Sequence, residues 1–312
     1  MTWSVLGAGV AGLCVATALA DRGAAVEVIV PRDAPPPVSR LAGGMLAPFC
    51  EGDGAPHAVV VAGQGAVDWW TARVPGVVRR GTLVVAPPRD AAELARFARA
   101  TEAHEAADPG ALEPDLAGRF ARGLFFPAEA HLDPVAALTA LRERLEDRGV
   151  AVHAGAPAGR IIDCRGMAAT DRLGDLRAVR GEMLYVEAPD VHLGRPVRLL
   201  HPRFPCYVVP RGAARYMIGA TMVESAREGA VTARAVMELL SAAYALHPGF
   251  AEAALVETGA GLRPAFPDNV PAVRRMPDRI HVNGMYRHGF LMAPVLAETL
   301  AADLTKEMRH AG

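Results

Sequence analysis

Apolar and polar positions are most regularly spaced at the start of the chain. Trp3-Ser4-Val5-Leu6 reads as a short buried strand, residues 13–22 have the length and apolar spacing of a helix stopped at Gly23, and residues 26–30 form a second apolar strand ended by Pro31. The turn between the first strand and the helix is Gly7-Ala8-Gly9-Val10-Ala11-Gly12. In such a G-x-G-x-x-G turn Gly7 permits the tight bend, Gly9 lets the backbone approach a pyrophosphate, and Gly12 lets helix and strand pack closely. The anion would rest on amides of the helix N-terminus, including those of Val10 and Ala11. A lone motif of this kind is weak, but its place between strand and helix predicts a dinucleotide site.

Further along, Pro35-Pro36-Pro37 marks a loop, and residues 90–103 and 134–148 read as amphipathic helices, the second ending at Gly149. Residues 160–166 look like a buried strand running into a turn at Gly166. Segments 184–187, 207–210 and 216–219 are strand-like and bounded by Pro and Gly. A helix is expected over 232–246, a strand over 280–282 and a closing helix over 293–308. The pattern predicts a mixed α/β and α+β protein, with a Rossmann-type nucleotide domain (1–70, 128–176 and 257–312) interrupted by a β-sheet-rich substrate domain (71–127 and 177–256).

Composition narrows the chemistry. With 312 residues, 51% hydrophobic and 21% charged, the chain can bury a sizeable core, which excludes disordered and fibrous classes. A formal charge of −1 gives no bulk attraction for nucleic acid or an anionic membrane. Lys306 is the only lysine, so neither a Schiff-base lysine nor a P-loop lysine is available, and anions must be met by arginine or backbone amides. Cys14, Cys50, Cys164 and Cys206 are isolated and read as reduced thiols. Residues 1–20 are apolar but lack a basic leader region and are broken by three glycines, and no run approaches the ~20 apolar residues of a membrane span. A cytoplasmic protein without membrane or nucleic-acid partners is expected.

Four segments carry candidate chemistry. Ala42-Gly43-Gly44-Met45-Leu46-Ala47-Pro48 is a glycine-rich loop whose amides could line a flat ring, a flexible loop being the plain alternative. Tyr207 and Met222 sit near the ends of two strands, where core packing is the alternative. Arg263, between Gly261 and Pro264, sits in a rigid frame suited to gripping a carboxylate bidentately, or to a surface ion pair. Gly284-Met285-Tyr286-Arg287-His288-Gly289-Phe290 is a turn opening into the last helix.

Taken together, the chain resembles the FAD-dependent glycine oxidases of thiamine biosynthesis, within the D-amino acid oxidase superfamily. The matching motifs are Gly7-x-Gly9-x-x-Gly12, Ala42-Gly43-Gly44-Met45-Leu46, Arg180-Gly181-Glu182, Tyr207-x-x-Pro210-Arg211, Gly219-Ala220-Thr221-Met222, Gly261-Leu262-Arg263-Pro264 and Arg287-His288-Gly289, in family order over nearly the whole chain. The resemblance implies an FAD-binding domain interrupted by a substrate domain. Arg263 would pair with the substrate carboxylate, Tyr207 would hydrogen-bond it and Met222 would line the substrate side of the flavin. Gly43, Gly44, Met45, Leu46, Gly166, Arg287, His288, Gly289 and Phe290 would join Gly7, Gly9, Val10, Ala11 and Gly12 in holding FAD. Expected partners are a small amino-acid substrate, dioxygen, a thiazole synthase and further copies of the chain. No cysteine follows Cys206, so the flavin is expected to be non-covalent.

Three positions depart from the pattern. Val30 stands where relatives carry a glutamate for the adenosine ribose, residues 153–160 are shorter than the usual hairpin, and Pro205 replaces a polar pocket residue of some relatives. Within this reading glycine is deaminated oxidatively to its imine and then to glyoxylate, with sarcosine or a D-amino acid as alternative substrates. Taken alone, Val30 and Arg32 would suit an NADP-binding reductase, and a flavoprotein that has lost its cofactor is the non-enzymatic alternative.

Overall fold

The computed structural model describes residues 2–201 and 206–310. The opening unit forms as the pattern predicts, with strands Thr2–Leu6 and Ala25–Ile29 flanking the helix Val10–Asp21. The two strands pair in parallel, Thr2 beside Ala25 through to Leu6 beside Ile29. The helix starts within the glycine motif, so Gly12 lies in its first turn.

These strands belong to a six-stranded sheet in the order Ala272–Arg275, Arg279–Asn283, Arg160–Asp163, Thr2–Leu6, Ala25–Ile29, Ala151–His153. Only the pair formed by the first two is antiparallel. The sheet therefore closes only when the chain returns after residue 272, which is the interrupted organisation expected from sequence. The Val10–Asp21 helix is buried from Val10 to Leu19 and shares one core with the closing helix Gly289–His310. Two unpredicted short helices, His57–Gly63 and Ala66–Thr71, join that core, and the Trp70 indole donates to the Phe290 carbonyl at 2.8 Å.

The inserted part is a nine-stranded mixed sheet. Its strands run Val223–Glu224, Arg177–Glu187, Arg215–Gly219, Cys206–Pro210, Val197–Leu199, Thr82–Val85, Gly123–Phe126, Glu105–Ala107, with Ala254–Ala265 also paired to Arg177–Glu187. The helix Ala233–Leu246, capped by the Thr232 hydroxyl accepting the Ala235 N–H at 3.2 Å, covers it through Leu239, Ala243 and Leu246.

Several boundaries differ from expectation for local reasons. The strand expected over 184–187 runs over Arg177–Glu187, because its alternation is masked where Arg180 and Glu182 are buried as a pair. Gly261 and Pro264 are not a loop frame but the end of the strand Ala254–Ala265. Proline is tolerated there because the strand pairs on one side only, so no ladder hydrogen bond is lost. The helix expected over 90–103 stops at Ala100, since Thr101 turns to extended backbone. The closing helix begins at Gly289, four residues early. Pro205 lies outside the described residues. Among the described residues no helix is long and apolar enough to cross a membrane.

Candidate active site

A cavity of about 820 Å³ is lined at one end by Gly7, Gly9, Val10 and Ala11 and at the other by Tyr207, Met222 and Arg263. At the first end the packing is set by Gly12. A Cβ there would lie 1.9 Å from the Gly7 carbonyl oxygen, so only glycine lets the helix sit on the turn. Gly7 donates its N–H to the Ile29 carbonyl at 2.9 Å and Val10 donates to the Ser39 hydroxyl at 3.1 Å. The N–H groups of Ala8, Gly9 and Ala11 find no acceptor among the described residues. Open amides at the N-terminus of a buried helix, facing a cavity, fit a pyrophosphate.

Next to this turn the cavity wall is Val30, Pro31, Ala34, Pro35 and Pro36, with Arg165 opposite, and Arg32 is not part of it. Val30 brings no acceptor for a ribose. The one acid on its strand, Glu27, is engaged elsewhere, by the Ser4 hydroxyl at 2.5 Å, the Ala158 N–H at 2.7 Å and the His153 ring at 2.9 Å. Residues 153–160 thus bind back to the sheet and none of them lines the cavity.

In the middle, Gly43, Gly44, Met45, Gly166, Arg287, Gly289 and Phe290 all line the wall. Arg211 donates to the Gly43 carbonyl at 2.8 Å, and the Leu132 N–H binds the Gly44 carbonyl at 2.9 Å, so the glycine loop is pinned from both sides. Asn283 holds Gly166 by donating to its carbonyl at 2.9 Å. Gly12, Leu46 and His288, expected at the cofactor, do not line the cavity. Leu46 and His288 are buried behind the wall. Burial, only partly offset by Glu51, depresses the His288 imidazole to about 4, so it is neutral at physiological pH.

At the far end, Arg263 donates to the Thr221 carbonyl at 3.0 Å and its guanidinium lies directly over Gly181. No carboxylate among the described residues lies within ion-pair distance of it. Burial works against its charge and lowers its pKa. A half-buried guanidinium on a cavity wall, with no carboxylate partner among the described residues, is a site for an anion, and its planar fork suits a carboxylate. Tyr207 stands beside it, its ring against Gly43 and Gly219. Burial raises the pKa of its phenol, which therefore keeps its proton to donate. Met222 is 48% exposed at the mouth, with its sulfur 3.4 Å from the Tyr286 hydroxyl.

Sequence reading missed Glu51. Its carboxylate lines the cavity and accepts from Arg287 Nε at 2.6 Å. Burial pushes this carboxyl up but is outweighed by Arg287, His288 and Arg198, which hold it at about 2. Its backbone is clamped too: the Cys50 N–H donates to Glu129 at 2.7 Å and Arg198 donates to the Cys50 carbonyl at 2.9 Å. Nothing local in Phe49-Cys50-Glu51 marks this acid, because its partners come from residues 129, 198 and 287. Glu129 is fully buried, and burial pushes its carboxyl up to about 8.

Comparison with known proteins agrees with this geometry. Residues 3–303 match the family model described as FAD dependent oxidoreductase, DAO. A Rhizobium etli protein named as the thiamine biosynthesis oxidoreductase ThiO is 54% identical over 314 residues, 97% of this chain and 96% of its own length. A Nostoc protein named bifunctional protein ThiO/ThiG is 26% identical over 98% of this chain, which spans 52% of that longer relative. The crystal structure of glycine oxidase from Geobacillus kaustophilus superposes with a TM-score of 0.80 at 26% identity, covering 98% of this chain and 94% of that one. With open helix-terminal amides at one end of its cavity and an uncompensated arginine at the other, the chain belongs to the FAD dependent oxidoreductase (DAO) family.

Proposed function

We propose that the protein oxidises glycine, or a small or N-substituted glycine, giving the imine and then, with water, glyoxylate and ammonia, while dioxygen is reduced to hydrogen peroxide. The observation that carries this reading is Arg263, a half-buried cation on the cavity wall beside Tyr207 with no carboxylate partner among the described residues. Residues 7, 9, 10, 11, 43, 44, 45, 166, 287, 289 and 290 would hold FAD, with residues 12, 46 and 288 supporting them from behind. Bound there, FAD supplies the two-electron acceptor. The chain's own part is positioning and exclusion of water. Arg263 pairs with the substrate carboxylate, the Tyr207 hydroxyl donates to the same group, and Met222 closes the side toward the mouth.

Of the acids on the cavity wall, Glu51 is committed to Arg287 and Glu182 to Arg180, which leaves Glu228. His288 is buried away from the cavity, so the amine arrives neutral or loses its proton to water or to Glu228. The Rhizobium relative's name supports a role in thiamine biosynthesis, and the ThiO/ThiG name of the Nostoc relative supports a thiazole synthase as partner. We further infer a cytoplasmic homo-oligomer with non-covalent FAD, with residues 1–70, 128–176 and 257–312 for FAD and 71–127 and 177–256 for substrate, the strand Ala254–Ala265 crossing the last boundary to pair with the substrate sheet. The alternative NADP site lacks support, because Arg32 stays outside the cavity.

The test is peroxide release from glycine, sarcosine and D-alanine by the wild type and Arg263→Ala. Loss of a buried partner for the carboxylate costs about 2–5 kcal/mol, so turnover of all three should collapse. Undiminished turnover in that variant would refute the carboxylate assignment.

A further inference from the structure

Gly181, under the Arg263 guanidinium, is flanked by two charged residues that are almost wholly buried, Arg180 at 4% and Glu182 at 1% exposure. They alternate with Gly181 along the strand and so leave on its opposite face. Arg180 Nη2 donates to Glu182 Oε1 at 3.0 Å. The same guanidinium also donates to the carbonyls of Arg227 at 2.7 Å, Gly229 at 3.2 Å and Ala230 at 2.6 Å. Glu182 in turn binds both ends of the span between Thr221 and Thr232. Its Oε2 accepts from the Thr221 hydroxyl at 3.2 Å, and its Oε1 accepts from the Thr232 N–H at 2.9 Å. Its backbone completes a ring with Thr221: the Glu182 N–H donates to the Thr221 hydroxyl at 3.0 Å, and the Thr221 N–H donates to the Glu182 carbonyl at 3.1 Å.

Thr221 is the residue whose carbonyl receives Arg263 Nη1, and the span it begins carries Met222 and Glu228 to the cavity wall. Resting on the carboxylate reading of Arg263, we propose that Glu182 is a positioning residue for the substrate site: acting through Thr221, it fixes the guanidinium that receives the substrate carboxylate. The charge arrangement gives Arg180 its part. Arg180, on the same face as Glu182, takes up its charge, so Glu182 can hold Thr221 while Arg263, on the other face, stays open to an external anion. The pair thereby separates holding the clamp from neutralising it.

The test uses the FAD-loaded full chain and acetate, a carboxylate without an amine, whose dissociation constant is read by calorimetry and by perturbation of the flavin absorbance. Thr221→Val keeps volume and leaves the Arg180–Glu182 pair intact while removing the hydroxyl link. The acetate dissociation constant and the glycine KM should rise together by about tenfold, the weight of one hydrogen bond, with FAD affinity unchanged. Thr221→Ser should restore both. Glu182→Gln should weaken acetate in the same direction, and if it does not fold, Thr221→Val still decides. Acetate bound by Thr221→Val as tightly as by the wild type would overturn the proposal. Arg263→Ala is measured alongside: unchanged acetate binding there would overturn the carboxylate reading itself, whereas loss there with wild-type binding in Thr221→Val overturns only the role of Glu182.

Discussion

Gly181→Ala puts a single methyl group under the clamp without removing any polar group. The added Cβ would stand 2.2 Å from both Cζ and Nη2 of Arg263 and 2.5 Å from Nη1. Ordinary contact begins near 3.4 Å, so the guanidinium must withdraw by roughly 1.2 Å. It cannot do so and keep both its 3.0 Å bond to Thr221 and its place on the wall. A displacement of that size in an orienting group costs on the order of 100-fold in rate, or ~2.7 kcal/mol. The expected result is a fall of about that factor in kcat/KM for glycine, with bound flavin per chain unchanged. The assay is steady-state peroxide release beside the flavin content of the purified protein. Wild-type kcat/KM in the alanine variant would refute the reasoning. Equal losses of activity and flavin would move the damage to the cofactor and refute it too.

Other outcomes follow from the same geometry. Gly12→Ala drives a Cβ to 1.9 Å from a backbone oxygen that has no room to move. The variant should purify with little flavin and melt several degrees lower, an overpacking cost of about 1–3 kcal/mol, as seen by absorbance and thermal melts. Val30→Glu restores an acceptor at the adenosine end of the cavity and should lower the FAD dissociation constant by about tenfold, measured by titrating flavin into the apoprotein. Glu51 is held at about 2 against an ordinary 4.5. Its depressed folded pKa means that its stabilisation is complete above 4.5 and is lost as pH falls toward 2. That contribution is roughly 3 kcal/mol at neutral pH, so Glu51→Gln should lower stability at pH 7 and flatten the acid limb of the melting profile. An acid limb identical to the wild type would contradict the pairing.

How much could be read in advance depended on how local the signal was. The glycine turn was legible because Gly7, Gly9 and Gly12 meet their structural demands within one strand–helix junction. Tyr207, Met222 and Arg263 could be named by resemblance, but that they meet at one end of a cavity required the nine-stranded sheet to bring three distant segments together. Gly261 and Pro264 suggested a rigid loop because both residues usually break strands; the edge position of Ala254–Ala265 removes the penalty, and only pairing reveals an edge. Glu51 was invisible for the opposite reason, and Gly181, though named within the Arg180-Gly181-Glu182 motif, was given no role. Each acquires its role from a side chain more than eighty residues away or across a sheet. His288 was placed at the flavin because it sits in a matching motif, yet its ring turns into the core while Arg287 and Gly289 beside it face the cavity.

One measurement bears most directly on the central reading: glycine added anaerobically to the purified, FAD-loaded protein while the visible spectrum is recorded. The flavin absorbance should bleach, with glyoxylate formed in proportion, and return with peroxide when oxygen is readmitted. A protein that takes up no FAD, or a flavin spectrum that glycine, sarcosine and D-alanine all leave unchanged, would contradict it.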